Sequence, residues 1–328
     1  MAVYYHKTSD FSSLVIFLFM AYEECSIMKR KVADMDNMTA LVSTFARAYH
    51  YRNSSEPVFA DNLAEQMLTE EEYMEISRNM AAGIAYFAPG FAGTREEALR
   101  FIVDCQLAPS VLARSAFCER AIGNAVRLGC GQIVVFACGY DTFSLRTGNR
   151  DLTVYELDRP EMIGDRRNRI ASRDLLPACR VETVGCDLAQ SSWRQDLLRA
   201  GFRKEKSAFG SLLGISYYLS KEEFQALIGG ISSLWSEGSS LCFDYPLSED
   251  GTESGRNRKL AAAAGERMKA KYTYEELETL LADAGFLIYE HLDAEEATEA
   301  FFRAYNEKNA EHEMAAPKGV SYCLAVKK

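Results

Sequence analysis

Short, continuous apolar runs alternate with amphipathic stretches through the second half of the chain. An apolar run of roughly four to eight residues is typical of a strand that is buried on both faces. Apolar positions that repeat every three to four residues predict helices instead. Strands are predicted at 133–137, 152–157, 180–184, 208–213 and 240–245, and helices at 160–172, 192–200, 221–235 and 274–284.

This alternation predicts an α/β fold: a Rossmann-like, mostly parallel sheet with helices on both faces. Two further apolar runs, at 286–290 and 320–326, lie near the end of the chain, and no long crossover pattern separates them. We expect these two runs to form an antiparallel pair at the sheet edge. The predicted sheet therefore has seven strands.

The first half of the chain has helical periodicity. Leu41, Phe45 and Ala48 recur at three-to-four spacing, and Glu56-Pro57 interrupts the pattern. Such amphipathic helices ahead of an α/β domain are expected to cover one edge of its sheet as a cap. The predicted organisation is a helical cap at 28–108 and an α/β domain at 109–328, with a cap insertion at about 246–271.

Residues 1–27 are interpreted as an N-terminal extension outside the fold. The apolar run at 14–20 is long enough for the core of a signal peptide but too short to span a bilayer. No small-x-small cleavage pattern follows it, and Met28 is a plausible alternative start because fold-like patterning begins soon afterwards.

The charge balance excludes some partners. The formal net charge is -10 and the pI is about 5.1, so the surface repels phosphate backbones and anionic lipids. We therefore expect a cytoplasmic protein that acts neither on nucleic acid nor at a membrane. The densest basic group, 166–169, is interpreted as a solvated helix face.

The cysteines and histidines predict no metal site. The chain has nine cysteines, none in a Cys-x-x-Cys pair, and its four histidines are far apart. A zinc site needs such ligands clustered. Cys138, Cys186 and Cys242 lie in or beside apolar runs and are predicted to be buried, reduced thiols.

The turn after the first predicted strand is a candidate ligand site. It reads Ala137-Cys138-Gly139-Tyr140-Asp141-Thr142. In doubly wound sheets this turn lies at the carboxyl edge, where ligands bind. A pyrophosphate-binding turn has three spaced glycines, whereas only Gly139 is present here, so the turn fits a nucleoside without phosphates better than a dinucleotide.

Carboxylates follow the next two strands. Glu156 and Asp158 end the second strand on the same face, and either can accept hydrogen bonds from ribose hydroxyls, with Asp158 favoured. Asp187 follows the third strand and can accept from an adenine amino group, while Leu188 packs on the ring. An ordinary helix-capping role for the strand-end carboxylates is the alternative.

The order of these motifs resembles the leucine carboxyl methyltransferase family of class I S-adenosylmethionine-dependent methyltransferases. The resemblance runs from the turn at 137–142 through 155–160 and Asp187-Leu188 to 213–219, and includes 283–286 near the end. It implies S-adenosylmethionine as cofactor, S-adenosylhomocysteine as product, and O-methylation of a small acid, a hydroxyl or, less favoured, a protein C-terminal carboxylate.

The resemblance also implies site residues. Arg114 matches the arginine that binds the methionine carboxylate, Ala137 replaces the usual first glycine, and Leu213 stands where the family often has a glutamate. The cofactor positions implied are Arg114, Ala137, Cys138, Gly139, Asp141, Thr142, Glu156, Asp158, Arg159, Asp187, Leu188, Leu213 and Gly214.

A catalytic base is needed only for some acceptors. A carboxylate is ionised at neutral pH and attacks unaided, whereas a hydroxyl must lose its proton. His50, Tyr218 and Tyr245 are the candidates by position, and a packing role is the alternative for each. Two other functions stay open: a nicotinamide-dependent oxidoreductase, and a cofactor-binding protein without catalytic activity.

Overall fold

The computed structural model describes residues 37–248 and 269–328. The predicted extension at 1–27 and most of the predicted insertion at 246–271 lie outside this part of the chain. The described residues form two compact units. A helical unit comprises 37–113 and 294–319, and an α/β unit comprises 114–248, 269–293 and 320–328.

The helices and strands follow the predicted order closely. Their bounds, in chain order, are α1 Met38–Asn53, α2 Glu70–Ala82, α3 Ile84–Phe87, α4 Arg95–Ile102, α5 Ala108–Arg127, β1 Gln132–Phe136, α6 Phe143–Arg146, β2 Thr153–Asp158, α7 Pro160–Ser172, β3 Arg180–Gly185, α8 Trp193–Arg199, β4 Ala208–Leu212, α9 Lys221–Ser232, β5 Ser240–Pro246, α10 Tyr274–Asp283, β6 Phe286–Leu292, α11 Ala294–Phe301, α12 Arg303–Lys308 and β7 Val320–Lys327.

Threonine and serine side chains define where several helices begin. Thr69, Thr94, Ser220 and Thr273 each accept a hydrogen bond from the backbone N–H three residues later, and a glutamate there bonds back. These reciprocal bonds satisfy N–H groups that a helix start otherwise leaves unpaired.

A long helical segment joins α4 to α5 through a π-helical turn at Val103–Leu107. The segment Arg95–Arg127 is long and apolar enough to cross a membrane by length and hydropathy alone. However, 72% of its most apolar window is buried inside the protein. Such burial is what the core helix of a globular fold shows.

The helical unit contains a segment that lies within the predicted α/β domain at 109–328. Residues 294–319, which include α11 and α12, cluster with 37–113. Phe302 and Ala297 are fully buried, and the Tyr305 ring lies 5.3 Å from the His50 ring of α1. The reason is packing, because apolar side chains of α11 and α12 are buried and cluster with this unit.

The sheet has seven strands in the order β3-β2-β1-β4-β5-β7-β6. Strands β1 to β5 pair in parallel, and β7 runs antiparallel between β5 and β6. The predicted α/β class, the strand number and the antiparallel pair near the edge are therefore confirmed. All residues of the central strands β1 and β4 are buried, and most of them are apolar.

The basic group at 166–169 is not the solvated helix face that the sequence suggested. Arg167 and Asn168 are exposed, but Arg166 has no exposed surface at all. The prediction was wrong for Arg166 because its buried ion-pair partner lies on β2, ten residues earlier, and local sequence does not reveal that contact.

Candidate functional site

The turn after β1 has a strained backbone. Ala137 and Gly139 both have positive φ, 48° and 47°. An L-residue such as Ala137 pays about 1–2 kcal/mol for this left-handed conformation. Two hydrogen bonds hold the turn: the Cys138 N–H donates to the Leu157 carbonyl at 3.0 Å, and the Asp141 N–H donates to the Cys138 carbonyl at 2.8 Å.

Asp158 joins this turn to the end of β2. Its Oδ2 accepts the Gly139 N–H and its Oδ1 accepts the Arg159 N–H, each at 2.8 Å. Burial raises the pKa of Asp158, and the two backbone donors act against that rise. Each oxygen has a further lone pair, so the carboxylate can also accept bonds from a ligand at this edge.

Glu156 faces a different set of partners. Its Oε2 accepts the Arg166 Nε–H at 2.8 Å, and its Oε1 accepts both Arg166 Nη2 and the Ser144 hydroxyl. Burial by itself would lower the pKa of Arg166, but the Glu156 charge raises it above its ordinary value. Glu156 is thus engaged in a buried ion pair, which argues against the ribose role considered for it.

Arg166 also bonds the turn after β1. Its Nη1 donates to the carbonyl oxygens of Gly139, at 3.4 Å, and of Asp141. The Tyr140 hydroxyl donates to Asp165 on the same helix, α7, and the Arg169 guanidinium lies 4.6 Å from the Tyr140 ring. Side-chain contacts therefore connect the turn to α7, in addition to the hydrogen bonds that connect it to β2.

Asp141 and Thr142 begin the short helix α6. Asp141 Oδ1 accepts the Phe143 N–H at 2.8 Å, and the buried Thr142 hydroxyl accepts the Arg146 Nε–H at 2.8 Å. Both predicted cofactor residues thus have local structural partners. Cys138, Cys186 and Cys242 are buried thiols, as predicted.

The end of β3 lies beside Asp158. The Cys186 N–H donates to the Asp158 carbonyl at 2.8 Å, so the chain that follows starts next to the β2 end. Asp187 is exposed, and its Oδ1 accepts the Ala189 N–H at 2.9 Å. Leu188 is half-buried and packs against the core of the α/β unit, and Arg159 is exposed.

Arg114, Gly214 and Asp244 meet on the other side of β1. Arg114 is 7% exposed, and its Nη1 lies 3.6 Å from Asp244 Oδ2. Gly214, in the loop after β4, has φ +70, and a Cβ at that position would lie 2.8 Å from Arg114 Nη1. The left-handed conformation therefore favours glycine at this position, and a Cβ there would displace the Arg114 guanidinium. The neighbouring Leu213 is half-buried.

Asp244 is a site residue that sequence reasoning missed. It is fully buried at the carboxyl end of β5, where it accepts the Gly214 N–H at 2.7 Å and the Tyr217 hydroxyl at 2.9 Å. A single aspartate inside the apolar run 241–245 was the available signal, because a buried charge in a strand needs partners.

The three candidate bases differ in how well they suit that role. His50 Nε2 already accepts the Val58 N–H at 2.9 Å, and burial lowers the pKa of His50 to about 4. Tyr245 is fully buried, its hydroxyl bonds His291 Nε2 at 2.9 Å, and burial raises its pKa. These contacts argue against both as bases. Tyr218 is half-buried in the loop after β4.

The predicted site residues of the α/β unit therefore converge on one edge of the sheet. Asp158, Asp187 and Gly214 follow the carboxyl ends of β2, β3 and β4, and Arg114 reaches the Gly214 loop from α5. Among residues 37–248 and 269–328, no group of three potential metal ligands is clustered.

A family model described as leucine carboxyl methyltransferase matches residues 40–232. A Bacillus subtilis protein named "Putative S-adenosyl-L-methionine-dependent methyltransferase YktD" is 35% identical over 304 residues, 89% of this chain and 98% of that protein. A similarly named protein of Parafrankia sp. is 31% identical over 184 residues, 54% of this chain and 57% of that protein.

Solved structures share the fold. A DUF574 family protein from Streptomyces avermitilis superposes with a TM-score of 0.52 at 17% identity, covering 76% of this chain and 97% of that one. A Thermobifida fusca protein described as a "putative methyltransferase" gives 0.51 at 18% identity, covering 80% and 92%. At these identities the likeness concerns the fold alone.

Proposed function

The chain belongs to the leucine carboxyl methyltransferase family, and from that premise we propose that it transfers the methyl group of S-adenosylmethionine to an oxygen of a small-molecule acceptor. Methyl transfer and the cofactor are those of the family and of the named relatives. The oxygen acceptor is the further step of the proposal.

The Asp158 carboxylate carries the proposal. It lies at the carboxyl edge, and both its oxygens are oriented by backbone N–H groups of the adjoining turns. A carboxylate held in this way can accept bonds from two neighbouring ribose hydroxyls. The turn next to it contains a single glycine, which suits a ligand without a pyrophosphate.

Two further groups would bind the rest of the cofactor. We assign Arg114 to the methionine carboxylate, since a guanidinium meets a carboxylate with two parallel hydrogen bonds. We assign Asp187, on the loop after β3, to the adenine amino group. Because Asp158 lies between them along the sheet edge, the three charges match the tail, sugar and base of one extended nucleoside.

The reaction itself demands little acid–base chemistry. S-adenosylmethionine supplies an electrophilic methyl group, and the protein's part is to bind and align the reactants. Alignment of this kind can contribute on the order of 7–11 kcal/mol. The contacts of His50 and Tyr245 leave neither well suited to remove a proton. Tyr218 is the remaining candidate base for a hydroxyl acceptor. We favour a carboxylate acceptor, because a carboxylate needs no base.

The two competing functions make different predictions. A nicotinamide-dependent oxidoreductase would need a turn that binds pyrophosphate, which the single glycine at 139 does not favour. A binding protein without activity would retain the Asp158 site and methylate nothing. Calorimetry with S-adenosylhomocysteine and NAD in parallel distinguishes the methyltransferase from the oxidoreductase. A methyl-transfer assay distinguishes the methyltransferase from the inactive binding protein.

The direct test is transfer of a radiolabelled methyl group from S-adenosylmethionine to panels of small carboxylic acids, phenols and alcohols. We expect base-labile methyl esters from one class of acid. Asp158→Asn should weaken S-adenosylhomocysteine binding by about 10- to 100-fold, since bonds to a charged acceptor contribute about 1.5–3 kcal/mol.

Asp151→Asn is the matched control, because Asp151 is exposed and lies before the start of β2, at the opposite edge of the sheet. Its affinity should equal that of the unaltered protein. Labelling confined to phenols or alcohols would reject the carboxylate acceptor. Binding of NAD with no binding of S-adenosylhomocysteine would reject the function as a whole.

A further inference from the structure

We propose that Asp244 is a positioning residue for the amino-acid end of the cofactor, acting through Arg114 and the Gly214 loop. This inference rests on the proposed function, because it assumes that S-adenosylmethionine binds at this edge of the sheet. Asp244 has no exposed surface, so it does not itself touch the ligand. Any influence on binding must pass through the groups that it contacts.

The contacts of Asp244 join three separate chain segments. Its Oδ1 accepts the Gly214 N–H at 2.7 Å, its Oδ2 accepts the Tyr217 hydroxyl at 2.9 Å, and its main-chain carbonyl accepts the Ser216 hydroxyl at 2.7 Å. The loop after β4 is thereby fixed to the end of β5 at three points. The Arg114 guanidinium on α5 lies 3.6 Å from the same Oδ2.

The loop and the arginine are in turn mutually dependent. Gly214 lacks a Cβ where one would meet Arg114 Nη1 at 2.8 Å, so the guanidinium lies directly against the Gly214 backbone. The bond from Gly214 N–H to Asp244 sets where that backbone lies. A shift of the loop would therefore shift the surface against which Arg114 is placed.

The protonation states support this arrangement. Burial raises the pKa of Tyr217 well above its ordinary value, and the Asp244 charge raises it further. The phenol therefore stays protonated and donates a hydrogen bond to Asp244. Burial and Asp244 likewise raise the pKa of Tyr322, which lies directly opposite Asp244 in the β5–β7 register. The Asp244 carboxylate thus accepts bonds from the Gly214 N–H and the Tyr217 hydroxyl and lies 3.6 Å from the Arg114 guanidinium.

The charge of Asp244 is the property to test. In Asp244→Asn the amide oxygen can still accept the Gly214 N–H, and the amide nitrogen can donate to the Tyr217 oxygen. The variant therefore keeps the size and both bonding positions but loses the negative charge beside Arg114. A purely space-filling role for Asp244 would tolerate this change.

The experiment compares two ligands by calorimetry. S-adenosylhomocysteine carries the amino-acid tail, whereas 5′-methylthioadenosine has the same nucleoside and sulfur without it. For Asp244→Asn we expect S-adenosylhomocysteine to bind about tenfold or more weakly, as loss of a charged partner implies. The affinity for 5′-methylthioadenosine should stay within about twofold, because distant sites act independently.

Two more variants keep the test decisive. Asp151→Asn makes the same substitution at an exposed position and should leave both affinities unchanged. Tyr217→Phe removes one neutral hydrogen bond to Asp244 and should weaken S-adenosylhomocysteine binding by about 2- to 10-fold, with 5′-methylthioadenosine unaffected. This variant takes over the test if Asp244→Asn does not fold.

The outcomes separate this inference from the proposed function. Equal weakening of both ligands, or no weakening of S-adenosylhomocysteine, would overturn the positioning role of Asp244. If the unaltered protein binds neither ligand, the proposed function fails instead. A selective loss for the ligand with the amino-acid tail supports both.

Discussion

Arg166 shows how one buried side chain can organise a turn. It pairs with Glu156 and bonds two carbonyl oxygens of the turn after β1. Removal of one member of a buried ion pair leaves the other charge without compensation, which costs about 3–5 kcal/mol. The turn geometry at Gly139 therefore depends on a residue that touches no ligand.

We predict that Arg166→Met lowers the free energy of unfolding by about 3–5 kcal/mol, because Glu156 is left buried and unpaired. The double variant with Glu156→Gln should recover part of that loss. Urea unfolding of each variant measures the effect. Arg167→Met changes the exposed neighbour and is the control, expected within about 0.5 kcal/mol of the unaltered protein. Equal losses at positions 166 and 167 would contradict the prediction.

Tyr322 carries a buried hydroxyl for which the described residues supply no hydrogen-bond partner. A buried polar group in that state costs free energy, about 1–3 kcal/mol. We therefore predict that Tyr322→Phe leaves the free energy of unfolding unchanged or raises it by about 1 kcal/mol. Thermal and urea unfolding provide the measurement. Tyr217→Phe, which loses the bond to Asp244, should be destabilised in the same assay. A loss at Tyr322 as large as at Tyr217 would indicate a bound water as its partner.

At the scale of the element, the central strand β4 allows little change. A Cβ at Gly210 would lie 2.4 Å from Trp235 Cη2 and 3.0 Å from Leu241 Cδ1. Trp235 is 5% exposed and packs edge-on against Phe286, so its ring has little room to move. The glycine is therefore needed for close packing of the chain that follows α9 onto the sheet, and its own φ is not the reason.

We predict that Gly210→Ala destabilises the protein by about 1–3 kcal/mol, the usual cost of overpacking a core. Gly164→Ala is the matched control, since its Cβ would meet nothing within 4 Å on an exposed position of α7. That substitution should stabilise by about 0.5–1 kcal/mol through helix propensity. Both changes are read from urea unfolding, and a neutral Gly210→Ala would show that the Trp235 ring can move aside.

At the scale of the whole molecule, two buried groups of the helical unit give opposite pH dependences. Burial lowers the pKa of His50 to about 4, so the unfolded chain binds the proton more readily and stability falls as the pH drops from about 6.5 to 4. Burial raises the pKa of Asp104 to about 6, despite Arg100, so stability rises as the pH drops from about 6 to 3.8. The two effects partly cancel.

Single substitutions should therefore separate the two pH dependences, which partly cancel in the unaltered protein. In His50→Gln the amide oxygen can still accept the Val58 N–H. As the pH is lowered from 7 to 4, the free energy of unfolding of this variant should rise by about 3 kcal/mol relative to that of the unaltered protein. Asp104→Asn should show a relative change of opposite sign over the same range. Urea unfolding at pH 4, 5, 6 and 7 gives the comparison. Relative stabilities that do not vary with pH would exclude these burial-driven shifts.

Much of the architecture was determined by local sequence. Continuous apolar runs predicted the strands because a strand buried on both faces needs no polar alternation, and the helix at 160–172 was predicted at its observed bounds. The order of the motifs predicted the family and placed Asp158, Asp187 and Gly214 after parallel strands. Since the carboxyl ends of such strands share one edge, their convergence follows from chain order alone.

Tertiary structure alone decided which charged groups are paired. Nothing near Arg166 in the sequence reveals Glu156 as its partner, and Asp244 meets Arg114 from 130 residues away. The same holds for residues 294–319, which pack with the helical unit rather than with the sheet that flanks them in sequence. Periodicity records which face of an element is apolar, but the partner of a buried charge or apolar face depends on which segments the fold brings together.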